Sequence, residues 1–177
     1  MIFRALSSLT FAIVLGLPVA AQEAPFGLAW GPVDKIAKPN IAEREGNITT
    51  LFYDRSSGIA AGADTDRVIV EVCRAEGIQQ VIWISRQLSA DELEQKYQAA
   101  HRQGNARYGE PRTLQSSTGE TWKDGRVFLG MSKGPPGQQR LVMFMRCEKF
   151  NACSSEHEGV TGHPAAEHVR NLLQRAY

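Results

Sequence analysis

Long apolar runs are scarce in this chain. After the stretch from Leu6 to Leu17, no segment nears the roughly 18 apolar residues of a membrane-spanning helix, so no later span is expected. An excess of one charge is also missing. Lys and Arg number 20 against 19 Asp and Glu, which supplies no global field for nucleic acid or an anionic membrane. There is no dinucleotide fingerprint and no phosphate loop. The Ser-x-x-Lys of one hydrolase class is absent as well. Cysteine is rare, with three residues, and so is histidine, with four.

What is present begins with an export signal. Residues 1–21 carry one cation, Arg4, then the apolar run, then Pro18-Val19-Ala20-Ala21. Small residues at the −3 and −1 positions predict cleavage after Ala21. Residues 22–177 are then the mature protein, one domain in the periplasm, with its formal charges balanced.

Hydrophobic patterning orders the rest. Phe26–Gly31 reads as a first strand, residues 33–46 as a polar loop, and Ile48–Tyr53 as a strand. Residues 54–66, with Gly58 and Gly62, read as a loop. Val68–Cys73 and Val81–Ser85 form an apolar hairpin turning at Arg74–Gly77. Ser89-Ala90-Asp91-Glu92 is a capping box that opens a helix over 89–103, ended by Gly104. Glu120–Trp122 and Arg126–Met131 flank an Asp-Gly turn, and Leu141–Cys147 is a further strand. Residues 148–162 read as a loop, and Pro164 starts a final helix over 164–176. The expected fold class is α+β: a single two-layer domain of about five to seven antiparallel strands, with both amphipathic helices on one face.

Three cysteines in an oxidising compartment predict one disulfide and one free thiol. Cys73–Cys153 closes a long loop and constrains the unfolded chain by about 4.5 kcal/mol. Cys147–Cys153, the alternative, gives about 2.4 kcal/mol. The segment from Cys153 to His168 concentrates His157, His163 and His168 among acidic residues, a donor set suited to zinc or copper. The six-residue step from His157 to His163 does not place two imidazoles on one helical face. The metal reading is therefore the alternative, and no cofactor is expected.

Phe26-Gly27-Leu28-Ala29-Trp30-Gly31, directly after a signal peptide, resembles the opening of small periplasmic proteins of Gram-negative bacteria. That resemblance implies a periplasmic α+β module. The segment Cys147-Glu148-Lys149-Phe150-Asn151-Ala152-Cys153 is similar to the Cys-bounded loop that periplasmic lysozyme inhibitors push into their target. It carries five residues where that family's loop has four, and no histidine. The function expected is a non-enzymatic binding or inhibitory module of the cell envelope, its partner an envelope protein or a small ligand. Lys149, Phe150, Asn151, Glu156 and His157 are the expected contacts, with Phe150 the anchor. The alternatives are a metal-binding protein or an enzyme of unrecognised type.

Overall fold

The computed structural model describes residues 24–33, 35–59, 61–114, 119–132 and 138–165, together with 167 and 171. The expected signal peptide and nearly all of the expected helix 164–176 lie outside these residues. The described chain forms one eight-stranded antiparallel sheet and two α-helices. The strands are β1 (Ile41–Glu45), β2 (Ile48–Asp54), β3 (Thr65–Cys73), β4 (Gly77–Ser85), β5 (Arg112–Thr113), β6 (Gly119–Trp122), β7 (Val127–Met131) and β8 (Leu141–Arg146). Helix α1 spans Ala90–Tyr108 and α2 spans Phe150–Thr161. The order across the sheet is β1-β2-β3-β4-β8-β7-β6-β5. Two four-stranded meanders therefore meet where β4 pairs with β8. Helix α1 joins them. Its 19 residues span about 28 Å, enough to carry the chain across four strand spacings, about 19 Å, to the far edge.

The capping box at Ser89 forms as its sequence dictates: the Glu92 N–H donates to Ser89 Oγ, and the Ser89 N–H donates to Glu92 Oε2. The helix does not stop at Gly104. A Cβ there would lie 2.7 Å from the Trp122 ring, so this glycine permits close packing instead. Gly109, at φ +84°, ends the helix by donating its N–H to Asn105 O.

Three further expectations are corrected. Residues 41–45, assigned to a loop, form the edge strand β1. Its apolar alternation is absent because most of it is exposed, as befits a polar, protected edge. The expected first strand is instead a 3₁₀ turn at Pro25–Gly27, followed by bridge residues, among them Gly31 paired with Ile78. Both edges of β4 are already paired, so Phe26, Leu28 and Trp30 lie across the sheet and pack on Leu51, Tyr53, Val68, Val70 and Val81. Residues 150–161, also assigned to a loop, are α2. Phe150, Cys153 and His157 are its buried stripe, at helical spacing.

The sheet is covered on both sides. Helix α1 buries Leu93, Tyr97 and Ala100 against Trp83, Met143, Met145, Val127 and Leu129. Helix α2 buries Phe150 and Cys153 against Ile48 and Cys73 on the opposite face. That second face carries a polar row, Glu71–Gln80–Arg146, set side by side by strand register. Gln80 Nε2 donates to Glu71 Oε2 at 2.6 Å, and Arg146 Nε donates to Gln80 Oε1. The Arg146 guanidinium lies 4.4 Å from the ring centres of both Phe144 and Phe150. Burial pushes the Glu71 carboxyl up to about 8, against the pull of Arg146 and Gln80. Because that value lies above the unfolded one of 4.5, the folded state holds the extra proton. Glu71 therefore stabilises the fold most fully below pH 4.5, and that contribution is lost as pH rises through about 8. The melting temperature of the wild type is expected to fall across this window, and the Glu71→Gln profile to be flatter. Parallel profiles in thermal melts would refute this account.

Candidate functional site

The face under α1 is roofed by two independent pieces. The segment 24–33 covers β2 to β4, and α1 covers β7 and its neighbours. Between them runs a seam. One part, about 220 Å³, is bounded by Phe26, Gly104, Tyr108, Trp122 and Met145. The next, about 260 Å³, is bounded by Gly62, Trp83, Lys96, Ala99 and Leu141. They adjoin, with Ala100, Gln103 and Met143 common to both linings. Each is close to the lower end of small-molecule sites, roughly 300–1,000 Å³. Small side chains on the inner face of α1 leave the space, and methionines supply an adaptable floor.

The two mouths differ in charge. At one, Asp64 is held well below the usual carboxylate range by Lys96, whose ammonium bonds it, and by Arg86. At the other, Arg107, Lys123 and Arg126 border a small recess of about 30 Å³ with Trp30 and Tyr108. Arg107 and Lys123 both approach the Tyr108 ring, at 5.4 and 5.0 Å from its centre. Arg126 pairs with Glu148 at 3.0 Å.

Beside the seam lies a polar chain that sequence reasoning missed. His101 Nδ1 lies 2.5 Å from Glu120 Oε2, and Asn105 Nδ2 lies 2.9 Å from His101 Nε2. Trp122 Nε1 donates to Asn105 Oδ1 and to Gly109 O. With Nε2 accepting from Asn105, Nδ1 carries the proton and donates to Glu120. Both ring nitrogens are thus engaged, and the chain braces α1 on β6. Burial and the Glu120 charge push the Tyr97 phenol up to about 12. The signal was available: Tyr97, His101 and Asn105 recur every four residues on the inward stripe that starts at Leu93.

A second overlooked motif is Gly130-Met131-Ser132-Lys133-Gly134, which has the Gly-x-Ser-x-Gly spacing of a nucleophile elbow. An elbow turns from a strand into a helix. Here Gly130 and Met131 end β7, and the next described element is strand β8. Ser132 continues the pairing: its N–H donates to Arg140 O at 2.8 Å, and its Oγ accepts from the Arg140 N–H at 3.0 Å.

The residues expected to make contacts are divided by α2. Lys149, Asn151 and Glu156 are exposed, but Phe150 is only 4 % exposed and His157 is fully buried. Phe150 is therefore a core residue under Arg146, not a protruding anchor. The segment expected as a loop over 148–162 is helical over Phe150–Thr161, with its buried residues at helical spacing. Cys73 and Cys153 lie at disulfide-bonding distance, with Cα atoms 6.1 Å apart, and Cys147 is free and half-buried. The Cys-bounded loop of the inhibitor likeness is thus not closed. Asn47, in a glycosylation sequon, is buried and donates Nδ2 to Cys153 O, so it offers no acceptor side chain.

Of the expected metal donors, His157 and His163 come together, joined by Glu45 from β1. His168 lies outside the described residues. Cys73, Glu76 and Cys153 also cluster, but both thiols there belong to the disulfide. No protein-family model matches the chain, and no curated protein or solved structure is detectably similar to it.

Proposed function

We propose that the chain is an exported, non-enzymatic binding protein whose ligand lies in the seam beneath α1. The ligand class is a small amphipathic anion: an apolar body over Met143 and Met145, and an acidic head at the cationic mouth. The observation that carries this reading is an apolar, methionine-floored seam that shares Arg107, Tyr108 and Met145 with a recess bordered by three cations, Arg107, Lys123 and Arg126. Apolar lining supplies affinity and a few placed charges supply orientation, the usual division of labour in small-molecule sites. Glu148 offsets one cation, and the Asp64 charge at the far mouth is compensated, so an acidic head is favoured at one end only. The non-enzymatic part of the reading is supported by Asn105, whose amide occupies the His101 Nε2 lone pair that a general base would need. Export is supported by the N-terminal pattern and by the paired Cys73 and Cys153, which suit an oxidising compartment.

The test is equilibrium binding of a fluorescent long-chain carboxylate and of the corresponding alcohol. The carboxylate is expected to bind at least about tenfold more tightly, a difference of 1.4 kcal/mol. The Arg107→Gln, Lys123→Gln double variant is expected to erase that preference. Ala100→Leu, which fills the shared part of the seam, is expected to abolish binding while the melting temperature holds. Failure of the wild type to bind, or Ala100→Leu binding as well as the wild type, would sink the proposal.

A further inference from the structure

We propose that Glu45, His157 and His163 form a binding site for a divalent ion of the zinc class, a metal clasp between the β1–β2 hairpin and α2. His157 Nε2 lies 3.9 Å from Glu45 Oε2, and His163 Nε2 lies 3.3 Å from Glu45 Oε1. The two imidazole Nε2 atoms thus converge on one carboxylate, with one donor atom from each residue within 4.8 Å of the others. A tetrahedral zinc ion with bonds of about 2.0–2.1 Å spaces its ligands about 3.4 Å apart. The His163–Glu45 separation already matches, and the His157–Glu45 separation is about 0.5 Å longer. Two histidines and a carboxylate are a borderline-soft donor set, favouring zinc, copper(II) or nickel over calcium or magnesium.

The six-residue histidine spacing is unfit for a continuous helix, yet the fold makes it work. Helix α2 ends at Thr161, and Gly162 takes the left-handed conformation at φ +82°. The chain turns back, and Thr161 Oγ1 donates to His157 O at 2.8 Å and lies 3.1 Å from His163 O, tying the two segments. The imidazoles end 5.5 Å apart, edge to face. On the other side, Glu45 precedes a two-residue hairpin loop, and Gly46 sits at φ +55°. A Cβ at Gly46 would lie 3.0 Å from the Thr161 side chain and 3.3 Å from His157 Nδ1. The hairpin can therefore lie directly on α2, which brings Glu45 within reach. Glu45 and His163 are partly exposed and His157 is buried. The cluster is open on one side, leaving a fourth position for water.

The site also has a mechanical setting. Cys153 and His157 occupy successive turns of the same buried stripe of α2. Cys153 reaches β3, and His157 reaches Glu45 on β1. A metal here ties α2 to the edge of the sheet beside the covalent tie to its interior.

The test uses the full chain after chelator treatment, with zinc and cobalt(II) as probes. The wild type is expected to take up one equivalent of zinc and to melt at higher temperature with excess metal. Bound cobalt(II) is expected to give the intense visible absorption of a tetrahedral site. His163→Ala and Glu45→Gln, both at partly exposed positions, are each expected to weaken binding by about tenfold or more. His157→Ala is the obvious variant, but it empties a buried position, so the two exposed variants carry the test. No stoichiometric uptake by the wild type, or unchanged uptake in both exposed variants, overturns the proposal.

Discussion

Replacing Cys73 and Cys153 together by alanine is expected to lower the unfolding free energy by about 4.5 kcal/mol in the chain-entropy model. The bond closes a loop with a sequence separation of 80 residues, so its removal restores a large conformational freedom to the unfolded chain. The folded state loses anchorage as well. Cys153 lies in the buried stripe of α2 against Ile48 and Phe150, and its carbonyl accepts from Asn47 Nδ2 at 3.2 Å. Urea titrations of the two proteins would measure the difference. A loss below about 1 kcal/mol would mean that the unfolded chain is already compact without the bond. Alkylation should also label one thiol, Cys147, in the native oxidised protein, and three after reduction under denaturing conditions.

Gly77→Ala is expected to cost about 3–4 kcal/mol and to loosen the roof of the seam. Gly77 takes φ +75°, where an L side chain costs about 1–2 kcal/mol. A Cβ there would lie closer to Gly31 O than van der Waals contact allows, and the obstacle is backbone. Relief means opening the bridge at Gly31, which holds two hydrogen bonds: Ile78 N–H to Gly31 O at 2.6 Å, and Gly31 N–H to Ile78 O at 3.2 Å. Each contributes about 1 kcal/mol net. The bridge anchors the segment that carries Phe26 and Trp30 over the sheet, and Phe26 borders the seam. The variant is therefore expected both to unfold at lower denaturant and to lose affinity for an amphipathic anion. Wild-type stability in Gly77→Ala would show that the segment is held by its aromatic packing alone.

The elements with the strongest local signals were legible. The Val68–Cys73 and Val81–Ser85 strands, the Ser89 capping box, the hairpin around Asp124-Gly125 and the strand from Leu141 all stand in the structure. Their hydrophobic periods and cap chemistry act over a few residues, so sequence alone carries them. Strand β1 was not legible, because an exposed edge strand has no apolar alternation to read. Helix α2 was missed because its stripe consists of one phenylalanine, one cysteine and one histidine amid small polar residues. A loop would leave Phe150 free to protrude, whereas the first turn of α2 directs it into the core.

By itself the sequence determined the α+β class, the antiparallel pairing within hairpins, the α1 start and the restriction of any disulfide to three cysteines. Each follows from periodicity, turn chemistry or counting. Tertiary structure alone decided which cysteine partners Cys153, where the seam opens and what joins the two histidines. Those outcomes depend on contacts between residues far apart in the chain, such as Glu45 with His157 and Gly31 with Ile78. Their proximity is set by strand order and by which face each covering element occupies. No local pattern encodes it, because the same hairpins and helices can be stacked in other orders without changing any residue's immediate neighbours.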